Sequence, residues 1–119
     1  MRYSPQEATW PEGRMHKVAD ILNHVHAILV GSNDADQAET FLRNLLDGLD
    51  LDTLRRLEAV IYSGRGDGSP VELRPVLAVN HPTKDDVVRT IIEKLPNLYD
   101  YLERGLDRAN AEGIDLDTF

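Results

Sequence analysis

The fold class of this chain is indicated most clearly by residues 15–30, which read MHKVADILNHVHAILV. The apolar residues of this stretch recur every three or four positions, so they form one continuous stripe on a helical wheel. The stripe consists of Met15, Val18, Ile21, Leu22, Val25, Ile28 and Leu29. Upstream, Thr9 and Glu12 have the spacing of a capping box, in which two side chains satisfy backbone amides at a helix start. We therefore predict one amphipathic helix from Trp10 to Val30, with Gly31 as its C-terminal cap residue.

Two further helices follow from the same kind of apolar spacing. Any of residues 32–34 (Ser-Asn-Asp) can cap the start of the second helix, and Gly48 ends it. The third helix runs from about Asp52 to Ser63, with Gly64 as its predicted left-handed terminator. The inward-facing residues are Phe41, Leu42, Leu45 and Leu46 in the second helix and Leu54, Leu57, Val60 and Ile61 in the third.

Residues 70–79, PVELRPVLAV, fit two structures. The segment from Val71 to Arg74 alternates as a strand does, and Pro75 would remove an internal helix hydrogen bond. Against a strand, Ser69 and Glu72 have capping-box spacing, and a proline occupies the first helical position, which suits it. An isolated strand would also lack a pairing partner. We predict a short, kinked helix.

Two more helices complete the pattern. Thr83 can cap the first, which ends before Pro96 because a residue preceding proline avoids the helical conformation. The second runs from about Asn97 to Glu112, and Gly113 followed by apolar Ile114 matches a Schellman ending. The inward-facing residues are Val87, Val88, Ile91, Ile92 and Leu95 in the first helix and Leu98, Tyr99 or Tyr101, Leu102, Leu106 and Ala109 in the second.

Together these segments predict an all-α protein, a compact irregular bundle of five or six helices joined by short loops. A chain of 119 residues has the usual size of one domain. We expect a single helical domain over residues 1–119, with an N-terminal arm at residues 1–9 and a mobile tail at residues 114–119.

Composition narrows the function classes. The net charge is −8 and the 13 lysines and arginines are scattered, so we expect no direct binding to nucleic acid or to membranes, which rely on clustered basic residues. The absence of cysteine excludes disulfides, thiolate metal sites and thiol nucleophiles. No apolar run approaches the ~18–20 residues that span a bilayer, and no signal-peptide stretch is present, so we expect a cytoplasmic location.

Acidic residues are concentrated between Ile28 and Asp52, where Arg43 is the one basic residue. This bias suits solubility, or attraction to a basic surface on another protein. The candidate protein-binding residues are Asp34, Asp36 and Glu39 in this region, with Arg65 and Asp67 in a glycine-rich turn further along. The expected partner is another protein with a basic surface, and a homodimer is a further hypothesis.

The turn Gly64-Arg65-Gly66-Asp67-Gly68-Ser69 has two interpretations. As a binding site, Arg65, Gly66 and Ser69 would hold an anion at the free amides of the following helix. As structure, the glycines end one helix and turn the chain, while Arg65 pairs with a nearby carboxylate. The segment is not a Walker loop, because it lacks the Gly-Lys-Ser/Thr ending and a preceding strand. We favour the structural interpretation.

A weak metal candidate lies on the first helix, where His16, Asp20 and His24 follow one another at i,i+4 spacing. Nothing nearby completes a set of four ligands, so a plain polar face is the favoured interpretation and we expect no cofactor. No carboxylate combines an apolar pocket with a partner suited to acid–base catalysis. We therefore name no catalytic residue, and an enzyme is the less favoured class.

The segment from Leu57 to Asp67, LEAVIYSGRGD, resembles the signature of a bacterial family catalogued as domain of unknown function 3775. The family has a similar closing pattern, which here is the segment from Leu95 to Leu106, LPNLYDYLERGL. The resemblance covers Leu54 to Leu106, and Val18 to Leu29 is similar to the family's opening helix. After Asp67 the sequence departs from the pattern, because Ser-Pro-Val-Glu stands where a tryptophan-containing stretch is expected. The resemblance implies a helical bacterial or phage protein and brings no activity.

Three functional hypotheses follow, of which the first is favoured. The first is a small acidic, non-catalytic protein-binding or adaptor module. The second is an acidic inhibitor that mimics nucleic acid on a bacterial effector, as a phage anti-defence protein would. The third and least favoured is an anion-binding or nucleotide-binding protein that uses the turn at residues 64–67.

Overall fold

Residues 18–119 are described in a computed structural model of the chain. The predicted N-terminal arm, the capping box at Thr9, the first part of the opening helix and His16 lie outside the described residues. Six α-helices follow in order: α1 Val18–Gly31, α2 Ala35–Asp47, α3 Leu51–Arg65, α4 Pro70–Asn80, α5 Lys84–Glu93 and α6 Leu98–Ala111, with a 3-10 turn, Leu95–Asn97, before α6. This part of the chain contains no strand, so the predicted all-α class is confirmed.

The ambiguous segment at residues 70–79 forms helix α4, as predicted. Pro70 stands in its first turn, where a missing amide hydrogen costs nothing, and Pro75 lies inside the helix. The capping box predicted at Ser69 and Glu72 is wrong. Ser69 precedes α4 in an extended conformation but makes no side-chain cap; its hydroxyl donates instead to Glu112 Oε1 at 2.7 Å.

Side chains cap the starts of α2, α3 and α5. Asp34 precedes α2, and its Oδ1 accepts a hydrogen bond from the backbone amide of Gln37 at 2.8 Å. Thr83 caps α5 as predicted, and Asp86 completes the reciprocal box by accepting from the Thr83 amide at 3.2 Å. Asp50 caps α3, which therefore begins one residue before the predicted start.

The prediction that Gly64 terminates α3 is wrong. The left-handed residue is Gly66, with φ at 102°; its amide donates to the Ser63 carbonyl at 3.0 Å, and the Asp67 amide donates to the Tyr62 carbonyl at 3.2 Å. This is a Schellman ending. A second one forms at Gly113 at the end of α6, as predicted. Gly31 is the last residue of α1 and does not adopt the left-handed conformation.

Gly64 instead lies inside α3 and allows it to approach α6 closely. A Cβ atom at Gly64 would stand 1.7 Å from the Tyr101 carbonyl oxygen of α6. A Cβ atom at Gly105 of α6 would stand 2.1 Å from the Val60 carbonyl oxygen of α3. The two helices therefore cross with backbone against backbone, which requires glycine on both sides.

Helix α3 is the centre of the bundle and packs against α1, α4, α5 and α6. The core comprises Val18, Ile21, Leu22, Val25, Ile28, Phe41, Leu42, Leu45, Leu46, Leu49, Leu54, Leu57, Ile61, Val87, Val88, Ile91, Ile92, Leu98 and Leu102. Helix α4 contributes little to this core, because Pro70 and Leu77 are its two buried residues, and it packs mainly on α3.

Residues 115–119, which we call the tail, lie against the bundle although the sequence predicts a mobile segment. Leu116 packs on the core, and Asp117 Oδ1 accepts a hydrogen bond from the Val18 amide at 2.8 Å. A main-chain oxygen of Phe119 accepts hydrogen bonds from two arginines, one on α3 and one on α4. In this structure the tail is packed on three helices rather than extended into solvent.

Candidate functional site

The outer side of α4 exposes a group of apolar side chains. Val71, Val76 and Val79 are 52%, 54% and 79% exposed, and Pro75 between them is also exposed. Positions 71, 75 and 79 follow one another at i,i+4 spacing, so these residues form one patch, which we call the α4 face. Contiguous exposed apolar patches on soluble proteins mark interaction sites, whereas single exposed residues such as Val30 on α1 do not.

A shallow, open groove runs beside the α4 face, between α3, α4 and the tail. The lining of this α3–α4 groove combines apolar and charged side chains. The apolar lining residues are Val71, Pro75, Ala78 and Phe119, and the charged ones are Asp52, Arg55 and Arg74.

The predicted protein-binding residues are divided between two places. Asp34 serves as the N-cap of α2, whereas Asp36 and Glu39 are exposed on that helix. Arg65 and Asp67 form an ion pair with Nε and Oδ2 2.7 Å apart in the turn after α3. The two groups therefore belong to different elements, α2 and the turn after α3.

The predicted anion site is engaged by the chain's own carboxylates. Arg65 pairs with Asp67, and the hydrogen bond to that carboxylate raises the pKa of the Arg65 guanidinium. Ser69 is buried and donates to Glu112, whose other oxygen lies 2.7 Å from Arg108 Nε. Hydrogen bonds from Arg108 and then from Ser69 hold the pKa of Glu112 below its usual value. An external anion at Arg65, Gly66 and Ser69 would have to displace Asp67 and Glu112. These internal contacts therefore argue against anion binding at this turn.

The predicted metal triplet is only partly described. Asp20 is exposed and His24 is half-buried on α1, while His16 lies outside the described residues. Within residues 18–119, no group of three or more histidine, cysteine or acidic side chains is placed to hold a metal ion. The triplet stays a prediction.

The most unusual ionisable group is the side chain of Glu58, which is not among the site residues predicted from the sequence. Glu58 lies in the middle of α3 with its side chain 0% exposed, and its Oε2 is 2.9 Å from Nδ1 of His81, the residue that follows α4. The pair is a close contact rather than an aligned hydrogen bond, and neither Glu58 oxygen accepts one from the described residues. Burial raises the pKa of Glu58 to about 7, although the positive charges of Arg55 and Lys94 oppose this rise.

The surroundings of this pair tie α4 to α3. Arg55 of α3 donates through Nη1 to the His81 carbonyl and through Nη2 to the Pro82 carbonyl, both at 3.0 Å. The centroids of the Tyr62 and His81 rings lie 6.3 Å apart. The cationic groups of Arg65 and Lys94 lie over the Tyr62 ring, 4.5 and 5.1 Å from its centroid. The arrangement fixes the end of α4 by a buried carboxylate, an arginine and an aromatic ring.

A signal for Glu58 does exist in the sequence. It stands four residues after Leu54 and three before Ile61, so it shares the inward stripe of α3. Ser63, five residues further along α3, is also buried, but its hydroxyl makes no hydrogen bond within the described residues. No serine–histidine pair suited to nucleophilic chemistry therefore forms between Ser63 and His81.

Comparisons with protein-family models, curated proteins and solved structures found no match to this chain. The resemblance to domain of unknown function 3775 stays a prediction. In residues 18–119, no helix has the length and apolar character that crossing a bilayer requires.

Proposed function

We propose that this protein is a non-catalytic protein-binding module and that the α4 face is its contact surface. One observation carries the proposal: α4 is rich in apolar residues, yet it buries only Pro70 and Leu77 against the bundle. The helix exposes three valines and a proline at adjoining positions. A partner that removes these side chains from water lowers the free energy of the complex.

The size of the effect follows from the exposure of the valines. Complete burial of a valine contributes about 1.5–3 kcal/mol, so residues that are half to four-fifths exposed contribute about 1–1.5 kcal/mol each. Replacing Val76 and Val79 by serine should therefore cost about 2–3 kcal/mol of binding free energy, roughly a 50-fold loss of affinity.

The experiment is affinity capture from the source cells with three forms of the full chain. The wild type should retain a specific partner, and the Val76→Ser/Val79→Ser variant should lose it. The matched control is Val30→Ser, because Val30 is 69% exposed on α1 and stands outside the α4 face. Capture that survives in the α4 variant, or that is lost equally in the control, contradicts the proposal.

A second candidate is electrostatic binding through α2 to a basic protein surface, which includes the decoy hypothesis. The exposed carboxylates of Asp36 and Glu39 favour it, together with the net charge of −8. In this case Asp36→Lys/Glu39→Lys should abolish capture, and wild-type affinity should fall steeply as salt rises. Capture that is insensitive to salt and to this double substitution argues for the α4 face.

A further inference from the structure

The carboxyl group of Glu58 is buried where the end of α4 meets α3, without the partners that an ionised carboxylate requires. Its side chain is 0% exposed, and His81 Nδ1 lies 2.9 Å from its Oε2. Neither oxygen accepts a hydrogen bond in the part of the chain that the structure describes. Burial of a charge without hydrogen bonds favours the neutral form of the group. This position therefore suits the protonated side chain of Glu58.

The cations near Glu58 are engaged by other groups. Among residues 18–119, the charged groups that act on its pKa are Arg55 and Lys94, and both lower it. Arg55 donates to two main-chain carbonyls that follow α4. The Lys94 ammonium lies over the Tyr62 ring, as does the guanidinium of Arg65. Because neither Arg55 nor Lys94 donates a hydrogen bond to the carboxyl, burial outweighs both charges and raises the pKa of Glu58 to about 7.

Helix α4 is the weakly held side of this contact. It buries fewer residues than any other described helix, namely Pro70 and Leu77. Helix α6, by contrast, crosses α3 with backbone against backbone. The last turn of α4 ends at His81, whose side chain is 23% exposed and also touches the carboxyl of Glu58. Local unfolding of this turn would bring water to Glu58 while the other helices keep their core contacts.

We propose that Glu58 and His81 make the end of α4 a pH-dependent element of the fold. While Glu58 is protonated, the turn from Leu77 to His81 stays packed on α3. When Glu58 loses its proton, this turn opens more often and hydrates the carboxylate. Each opening also exposes Leu77, the buried leucine of α4, beside the valines of the α4 face. The opening does not depend on what the α4 face binds.

The direction and size of the effect follow from the pKa of Glu58 in the two states. The pKa is about 7 in the closed state and returns to the ordinary 4.5 when water reaches the carboxyl group. The closed state holds the proton more tightly, so a low pH favours it and a rising pH favours opening. With these values, the equilibrium constant for opening rises about 20-fold between about pH 5.5 and about pH 7.5.

The test is amide hydrogen exchange of the full chain, measured by NMR at both pH values. Protection factors are compared, because they remove the intrinsic pH dependence of exchange. The backbone amide of His81 donates to the Leu77 carbonyl at 2.8 Å and reports on the last turn of α4. Its protection factor should fall about 20-fold as the pH rises. Low concentrations of urea should barely change it, since a local opening exposes little surface, whereas the amide of buried Leu45 in α2 should respond steeply.

Two substitutions with the same change of charge identify the responsible group. Glu58→Gln should make the protection factor of the His81 amide equal at the two pH values, because glutamine does not titrate. Glu72→Gln, at an exposed position in the first turn of α4, should keep the 20-fold fall of the wild type within about a factor of two. Circular dichroism of each variant checks that the helices are retained.

Four results would overturn the inference. The first is a protection factor of the His81 amide that is constant with pH in the wild type. The second is a fall that persists in Glu58→Gln, which would assign it to another group such as the His81 side chain. The third is equal urea sensitivity of the His81 and Leu45 amides, which would mean that α4 opens only with the whole bundle. The fourth, measured in the wild type alone, is a Glu58 carboxyl that titrates near its ordinary value. None of these results bears on Val76 and Val79, so the proposed function can stand if the inference fails.

Discussion

Replacing Glu58 by glutamine should remove a decrease in unfolding free energy that the wild-type bundle undergoes as the pH rises. The side chain is fully buried beside His81, and burial raises its pKa from the ordinary 4.5 to about 7. A carboxyl group whose pKa is raised on folding contributes stability that is fully present below pH 4.5 and is lost as the pH rises through about 7. The rise corresponds to about 3 kcal/mol, since one pKa unit is worth about 1.4 kcal/mol.

Glutamine keeps the shape of the side chain and cannot ionise. The Glu58→Gln variant therefore does not lose stability through ionisation at this position. Relative to wild type, the variant should gain about 3 kcal/mol of unfolding free energy between pH 4.5 and pH 8. Urea denaturation at several pH values measures the difference, and carbon NMR of the Glu58 carboxyl measures its pKa directly. Glu72→Gln, at an exposed position of α4, is the control and should show no such trend. A difference that is constant with pH, or a Glu58 carboxyl that titrates near 4.5, would show that folding does not raise the pKa of this group.

Three further substitutions test the packing and the helix caps by thermal or urea denaturation. Gly64→Ala places a methyl group against the Tyr101 carbonyl and should cost about 3 kcal/mol or more, because α3 and α6 must separate. Gly66→Ala meets no atom within 4 Å and costs only the strain of φ at 102°, about 1 kcal/mol; an equal or larger loss than at Gly64 would contradict the assigned roles. Thr83→Ala removes the hydroxyl that accepts from the Asp86 amide and should cost about 1 kcal/mol, whereas an unchanged midpoint would show that the cap is unimportant.

The sequence predicts the helices well because their order depends on local patterns. Apolar spacing identifies the stripes that form the core, and capping residues such as Thr83 are read directly from the chain. Even α4 is predicted correctly, because proline is tolerated at a helix start and an isolated strand would be unstable.

The features that the sequence does not predict depend on contacts between distant segments. Gly64 and Gly66 look alike in the sequence, and the contact with α6 decides which of them stays helical. Glu58 occupies an inward position of α3, but glutamate is normally exposed. Its burial therefore could not be predicted without knowing that the fold places His81 beside it. The tail is predicted as mobile because its partners, the arginines of α3 and α4, lie more than 40 residues away in the chain.

Contact between the α4 face and a partner protein can be detected by site-specific photo-crosslinking in the source cells. A photoreactive amino acid at position 79, on the α4 face, should give a covalent adduct of higher mass, and the same group at position 30 should give none. No adduct at position 79, or equal adducts at both positions, would show that the α4 face is not the contact surface.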